Sequence, residues 1–468
     1  MAFGVQQEWL ERKFPSPPEW SWVTRKDFRS ARWAEDDEDG KRPVDWVNTG
    51  ATYRRLIRRL ENPDIDGRDL EEQDEGGILV AGIGKTGFDI SKKSEPWKRG
   101  YHEMLMGAAR AAEHLDGWMR DRTRNIAFPK EVVIGPSNPR PRPVPPGAKS
   151  APNEENCGAA FEAPEVYYMR ILTTQGFTEK QRLDAALAYA AWLDFKKTPA
   201  AASEMYKWAL DIATSNAPKA IVDPATGTLK TNAGIPSANI LSATTSLAIH
   251  HAVNNDLNTA LPIFLSILRA RRSLPERPQT MRETLNPDED ENTILKAVTS
   301  LLKSALVAPK YPPPPDDGTS PPSRSSKERC EEAGIMTYIG EILYASKTSR
   351  TSKEDGLAWT REAVDIAEEE LRGKSVGKEG KKTCTQCLEV GLRNWATMVA
   401  KLAREEKEDK ANRTRVGSWL GFGGEDQKEV VGRWESEEQV VRERQRRASE
   451  ILGGPSQDGG GGGSFLFP

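Results

Sequence analysis

Apolar residues recur at helical spacing through most of the chain, and between residues 178 and 214 they predict two amphipathic helices. Thr178 opens a Thr-x-x-Gln capping box at the start of the first helix, and a turn is predicted near Pro199. Residues 242–275 repeat this pattern, with the turn at 254–258. The basic element that the pattern predicts is therefore a helical hairpin.

The two hairpins also share the positions of their small and aromatic residues. When they are aligned with one constant offset, three pairs of positions coincide: Ala190 with Ala248, Ala202 with Ala260, and Tyr206 with Phe264. Alanine at a helix crossing allows the two backbones to approach, and the aromatic ring fills the groove beside it. This arrangement is typical of tetratricopeptide repeats.

A third hairpin, at residues 334–371, matches the pattern less closely. It fits at Gly340, Gly356 and Ala363 only if about four residues are inserted in its turn. The hairpins are also spaced more widely than the period of about 34 residues that tandem repeats show. We therefore expect an all-α protein with an irregular tetratricopeptide-like helical repeat (an α-solenoid), a helical N-terminal region and long proline-rich loops.

Changes in composition predict where the domains end. In the N-terminal third, Ser94 is expected to cap a helix whose apolar stripe runs from Trp97 to Met119. Prolines in residues 136–152 exclude a helix or a central strand there. The expected parts are a helical N-terminal region (1–135), a proline-rich linker (136–159), a tetratricopeptide-like helical domain (160–410), and a charged amphipathic C-terminal helix with a flexible glycine-rich tail (411–468).

The overall composition narrows the classes of partner. The chain has 67 Lys and Arg residues against 70 Asp and Glu residues, so no overall field attracts nucleic acid or an anionic membrane. Its apolar runs are shorter than the roughly 18–20 residues that a membrane helix needs, so no membrane span is predicted. The four cysteines are too few and too scattered for a secreted disulfide framework, and free thiols are expected.

A glycine-rich stretch, "GGILVAGIGKTG", resembles the start of a phosphate-binding loop. That loop requires a glycine five positions before the Gly-Lys-[Ser/Thr] glycine, and Leu79 stands there instead. The stretch is therefore interpreted as a glycine-rich turn packed against the helix that follows. A nucleotide-binding enzyme that uses Lys85 and Thr86 is kept as an alternative.

Cysteine and histidine give a second alternative. Cys384 and Cys387 form a lone Cys-x-x-Cys without the second pair of a zinc site, and the surrounding pattern is helical. We interpret them as core cysteines, with a thiol- or metal-dependent enzyme as the alternative. His251 is expected to face the core of the second hairpin. No catalytic, cofactor-binding or metal-binding residue is predicted, and no cofactor.

The hairpins of residues 160–400, with Ala190, Ala202 and Tyr206 in the first, resemble fungal mitochondrial tetratricopeptide-repeat proteins. The similarity points to the adaptor subunit of the inner-membrane i-AAA protease supercomplex. The resemblance implies a non-enzymatic scaffold or adaptor for protein quality control, which recruits substrate proteins or assists complex assembly. It also implies a mitochondrial location, with the cytoplasm as the alternative because the sequence shows neither the presequence nor the membrane helix of the family.

In tetratricopeptide domains the first helix of each pair lines the concave surface. The resemblance therefore implies a partner-binding surface on the first two hairpins, which would take an extended peptide or a partner helix. No nucleic-acid partner is expected, and association with a membrane complex would occur through other proteins. The implied surface residues are Asp184, Leu187, Ala191 and Asp194 in the first hairpin, and Ser242, Thr245 and Ile249 in the second.

Overall fold

The computed structural model describes most of the chain and divides it into two compact units. The described residues are 2–36, 43–72, 79–80, 84–85, 87–217, 221–276, 310–346, 350–373, 377–419 and 432–452. One unit contains Met1–Ile212 with Arg282–Asp317, and the other contains Ala213–Met281 with Gly318–Pro468. The described residues form thirteen α-helices and seven short strands, so the expectation of a mainly helical protein is confirmed.

The first unit is a set of helices with three small antiparallel sheets. Its helices are α1 (Ala2–Lys13), α2 (Trp22–Glu35), α3 (Trp46–Glu61), α4 (Glu95–His114), α5 (Pro164–Thr173), α6 (Glu179–Phe195) and α7 (Pro199–Thr214), the last of which ends two residues past the limit of the unit. Its strands are β1 (Glu71–Glu72), β2 (Leu79–Val80), β3 (Gly84–Lys85), β4 (Phe88–Asp89), β5 (Trp118–Asp121), β6 (Ile126–Pro129) and β7 (Cys157–Ala159).

Helix α4 lies at the centre of the first unit, packed against α3 and α5. The Ser94 hydroxyl accepts a hydrogen bond from the Trp97 N–H at 3.2 Å, as the capping pattern predicts. The helix ends at His114, and Met119 lies in β5. The prediction that the helix extends to Met119 is therefore wrong. The helix cannot continue to Met119 because Gly117 has a φ of +76°, which is incompatible with a right-handed helix.

The stretch at 136–159, expected to be a proline-rich linker, lies within the first unit. The Ile134 N–H donates a hydrogen bond to the Pro152 carbonyl at 2.9 Å, and the Glu154 N–H donates one to the Ile134 carbonyl at 2.8 Å. These bonds bring the two ends of the proline-rich stretch together. After the stretch, β7 pairs with β5, which lies between β6 and β7 in one sheet. The segment is thus a closed loop and an edge strand of the first unit.

The second unit is a row of helices. They are α8 (Ala238–Val253), α9 (Leu257–Arg272), α10 (Ser326–Ala345), α11 (Arg350–Arg372), α12 (Lys378–Trp419) and α13 (Arg433–Ile451). Each packs against the next along the chain, and α10 also packs against α12. The turns between α6 and α7 and between α8 and α9 lie where the sequence pattern predicts them.

Two glycines allow α10 and α11 to cross closely. A Cβ atom on Gly340 would lie 2.5 Å from the Thr360 Oγ1 and 2.7 Å from the Gly356 carbonyl oxygen. A Cβ atom on Gly356 would lie 2.6 Å from the Gly340 carbonyl oxygen. Contacts this short are not tolerated by real side chains, so both positions require glycine. The small residues of the third predicted hairpin therefore mark a helix crossing.

A disulfide joins α10 to α12, where free thiols were expected. Cys330 and Cys384 are bonded, with 5.1 Å between their Cα atoms, and both are buried. The expectation of four free thiols is therefore wrong. Cysteine number and spacing do not reveal that two helices distant in sequence place Cys330 and Cys384 side by side. Cys157 and Cys387 are free.

The division into units also differs from the expected domains. The predicted repeat domain at 160–410 is split, because the limit between the units falls at Ile212 and Ala213, inside α7. The first and second predicted hairpins therefore belong to different units. The charged helix expected after residue 411 is present as α13, and the glycine-rich tail at 453–468 lies outside the described residues.

Candidate functional site

In the middle of α10, one stripe of residues reaches solvent. Between Cys330 and Ile342 the helix is buried on its other faces, and its partly or fully exposed residues are Glu331, Gly334, Tyr338 and Glu341. Their spacing of three, four and three residues places them on one face of the helix. Helices α9, α11 and α12 pack around α10. The stripe is therefore the part of α10 that its neighbouring helices leave open, here called the α10 groove.

Tyr338 lies in the middle of the α10 groove and contacts α9. Its ring stacks on that of Phe264, with 5.2 Å between the ring centroids and 12° between the planes. Tyr338 as a whole residue is 36% exposed. Burial of the rest of the ring is the main cause of its raised pKa, and the neighbouring acidic groups Glu341, Glu331 and Cys387 add to it.

The opposite wall of the groove is α12. The Asn394 side-chain amide donates a hydrogen bond to Glu341, and Cys387 lies near enough to Tyr338 to contribute to its raised pKa. Val390 lies between these two α12 residues at helical spacing and is 41% exposed. The wall thus presents an apolar side chain flanked by an amide and a thiol.

Glu341 is the least compensated charge in the α10 groove. Within the described part of the chain, no Lys or Arg forms an ion pair with it. Burial raises the pKa of its carboxyl group, and the hydrogen bond from Asn394 offsets part of that rise. A carboxylate in this state costs free energy to keep ionised. The Glu341 carboxyl group therefore lies in the α10 groove without a cation from the described residues beside it.

The other end of the groove is also negative. The Glu331 carboxylate is 3.9 Å from the Arg271 guanidinium, which forms a shorter ion pair with Glu328. Arg271 is buried, and its single positive charge is shared by these two carboxylates. Among the described residues, Arg271 thus pairs with two of the three carboxyl groups Glu328, Glu331 and Glu341, and the third has no ion pair.

The four predicted surface residues of the first hairpin lie on α6 and are at least partly exposed. Ala191 is exposed, and Leu187 is partly so. Asp184 forms an ion pair with Lys180 at 2.6 Å. Asp194 forms a hydrogen bond with Tyr206 of α7; burial is the larger cause of the raised pKa of Tyr206, and Asp194 adds to it. Both carboxylates thus have partners within the first unit.

The three predicted surface residues of the second hairpin lie on α8, in the second unit. Ser242, Thr245 and Ile249 are all partly exposed. The Thr245 hydroxyl donates a hydrogen bond to the Leu241 carbonyl at 2.6 Å, one turn earlier in the same helix. The two sets of predicted residues belong to different units, so each is described here as a separate surface.

The glycine-rich stretch forms strands where it is described. Leu79 pairs with Lys85 and Val80 pairs with Gly84 in an antiparallel register. A phosphate-binding loop instead leads from a strand into the N-terminus of a helix. Thr86 lies outside the described residues.

The other candidate side chains are placed differently from the pattern. Cys384 is in the disulfide, and the pKa of the Cys387 thiol is raised to about 12 by burial and, secondarily, by Glu331. Such a thiol is protonated at neutral pH and is a poor nucleophile. His250, not His251, is the buried histidine of α8, and the His251 ring lies 3.1 Å from Asp256.

In the part of the chain that the structure describes, no group of three or more His, Cys, Asp or Glu side chains is arranged to hold a metal ion. None of the helices described combines the length and apolar character needed to cross a membrane.

The sequence indicates the α10 groove only in part, because the third hairpin matches the repeat pattern incompletely. The offset that gives Asp184 and Ala191 from Ala190, applied to Gly340, gives Gly334 and Glu341. Two of the four stripe residues could therefore have been found by carrying the pattern one hairpin further. Tyr338 and Glu331 could not have been found in this way, because the other two repeat offsets lead to positions 337 and 344 instead.

Comparisons with protein-family models, with curated proteins and with solved structures give no match. The resemblance to mitochondrial tetratricopeptide-repeat proteins therefore depends on the repeat-type positions alone.

Proposed function

We propose that this protein is a non-enzymatic interaction scaffold or adaptor and that the α10 groove binds a segment of a partner protein. The observation that carries the proposal is Gly334. This glycine lies inside a 20-residue helix, yet a Cβ atom on it would meet nothing within 4 Å. Glycine in a helix interior costs about 1 kcal/mol relative to alanine. Close packing explains Gly340 but gives no reason for Gly334.

A ligand supplies such a reason. Without a side chain at position 334, the floor of the α10 groove is low beside Tyr338, and the backbone of a bound segment can approach α10 closely. Tyr338 and Val390 contribute partly exposed apolar surface next to this depression. Tyrosine is among the residues most enriched at the energetic centres of protein interfaces.

The α6 and α8 surfaces are proposed as further contact regions. Asp184, Leu187, Ala191 and Asp194 lie on α6, and Ser242, Thr245 and Ile249 lie on α8. Their mixture of small, apolar and acidic side chains suits an extended peptide or a partner helix.

The more specific role is proposed from the sequence resemblance. In it, the scaffold recruits substrate proteins to a mitochondrial inner-membrane protease or assists complex assembly. Fractionation of cells that express a tagged full-length protein tests the location. Recovery in the cytosol alone would contradict the mitochondrial role and leave the groove proposal standing.

Site-specific photo-crosslinking tests the groove itself. A photoreactive amino acid replaces Val390 in the groove wall, or Val440, which is 47% exposed on α13, as the control. We expect a crosslinked protein from position 390 and not from position 440, and the product identified by mass spectrometry then serves as the purified partner. Equal crosslinking from both positions would contradict a specific groove.

A further inference from the structure

We propose that the α10 groove selects a cationic amphipathic helix, whose two positive side chains face Glu331 and Glu341 and whose small or apolar residues face Gly334 and Tyr338. This inference rests on the proposed function and adds the chemistry of the partner segment to it.

Charge complementarity is the first step. Glu341 lacks an ion pair within the described residues, and Glu331 shares Arg271 with Glu328. A Lys or Arg from a partner would compensate each carboxylate in a partly desolvated setting, where charge pairing is stronger than in water. An acidic peptide or a nucleic acid would instead meet like charges.

The spacing of the two carboxylates is the second step. Glu331 and Glu341 are ten residues apart on α10, which corresponds to about 15 Å along the helix axis. A helix that lies along α10 presents the same face once per turn of about 3.6 residues, so cationic residues about three turns, or eleven positions, apart fall over the two carboxylates.

The depression at Gly334 is the third step, and it favours a helix over an extended strand. Helices that approach closely need small residues at the point of contact, and position 334 offers open space there. The partly exposed Tyr338 ring lies one turn further along the stripe. A small or apolar residue between the two cations therefore completes the match.

A pair of synthetic peptides tests the inference. Both form an amphipathic helix of about 18 residues with alanine and leucine on one face; one carries two lysines about eleven positions apart on that face, and the other carries two glutamates. Fluorescence anisotropy with the full-length protein measures binding at low salt and at about 0.15 M salt. We expect the lysine peptide to bind and the glutamate peptide to bind at least about tenfold more weakly.

Substitutions assign that binding to the groove. Glu341→Gln and Glu331→Gln should each weaken the lysine peptide by about three- to tenfold. Glu408→Gln, at an exposed position about five turns from Val390 on α12, is the matched control and should change nothing. Equal binding of both peptides, or no effect of Glu341→Gln, would overturn the inference.

Thermal unfolding separates binding from folding. Burial raises the pKa of Glu341, so ionisation of this group opposes folding once the pH exceeds the pKa of a free carboxyl group. The Glu341→Gln protein should therefore unfold at the same or a higher temperature. A lower unfolding temperature would show a structural role and overturn the inference. If position 390 crosslinks a partner while the lysine peptide fails to bind, the cationic inference fails and the proposed function stands.

Discussion

At the scale of single residues, the glycines of α10 show how one residue type serves two purposes. Gly340 is required because the backbone of α11 leaves no room for a Cβ atom. Gly334 has open space around its Cβ position. The sequence predicted the role of Gly340, because small residues at helix crossings follow a repeat pattern. It could not predict that of Gly334, because open space depends on which neighbouring helices are near.

Replacing each glycine by alanine should therefore change stability in opposite directions. Gly334→Ala should increase the free energy of unfolding by about 0.5–1 kcal/mol through helix propensity. Gly340→Ala should decrease it by about 1–3 kcal/mol, because the added methyl group overlaps Thr360 and the Gly356 carbonyl. Urea denaturation followed by circular dichroism measures both changes. A loss of stability in Gly334→Ala would show that the site is packed.

His102 predicts a pH dependence in the first unit. Burial lowers the pKa of its imidazole to about 4, and its Nε2 lies 3.1 Å from the Gln181 carbonyl oxygen. In the unfolded chain the same histidine has a pKa near 6.5. Between pH 6.5 and pH 4 the unfolded chain therefore binds a proton at His102 more tightly than the folded protein does. Stability should thus be lost as pH falls from about 6.5 towards 4, by at most about 3 kcal/mol.

Denaturation curves between pH 7 and pH 4.5 measure this loss. His102→Gln, which keeps a polar side chain at the position, should show a smaller loss over the same range. An identical pH dependence in the two proteins would show that other groups account for it.

At the scale of elements, the sequence predicted helices and their turns better than it predicted strands and pairings. The helical spacing around Ala190 and Ala248 extends over whole helices, so both hairpins are found where the pattern puts them. The β5–β6 hairpin was missed because its strands are four residues long, and a single glycine with positive φ ends α4 before it. Pairing of β7 with β5 depends on contacts distant in sequence.

The disulfide between α10 and α12 is another long-range feature with a measurable consequence. It closes a loop of 54 residues, and the chain-entropy model gives a stabilisation of about 4 kcal/mol for a loop of that length. Cys330→Ser with Cys384→Ser should lower the free energy of unfolding by about 2–4 kcal/mol. Cys157→Ser, which leaves the bridge intact, is the control and should have a small effect.

Alkylation under denaturing conditions checks that the bridge exists. Without a reducing agent, two of the four cysteines should react, and with it all four should react. Modification of all four cysteines in the unreduced protein would contradict the bridge.

At the scale of the whole molecule, the chain consists of two compact units, each with its own candidate surface. The predicted surface residues on α6 belong to the first unit, while those on α8 and the α10 groove belong to the second. The limit inside α7 could not be read from the sequence, because the repeat pattern continues across it without a change in composition. The proline-rich stretch shows the reverse relation: its composition differs from that of its surroundings, yet backbone hydrogen bonds close it into a loop.

The most direct test of the central claim is the affinity with which the partner identified by crosslinking binds the Gly334→Leu protein. The leucine would occupy the floor of the α10 groove without meeting a neighbour at its Cβ position, so the fold should be kept. Gly4→Leu, at a helical glycine of α1 that also has nothing within 4 Å, is the matched control. Isothermal titration calorimetry should show partner binding weakened at least about tenfold for Gly334→Leu and unchanged for Gly4→Leu. Unchanged binding by a folded Gly334→Leu protein would contradict the claim that the α10 groove holds the partner.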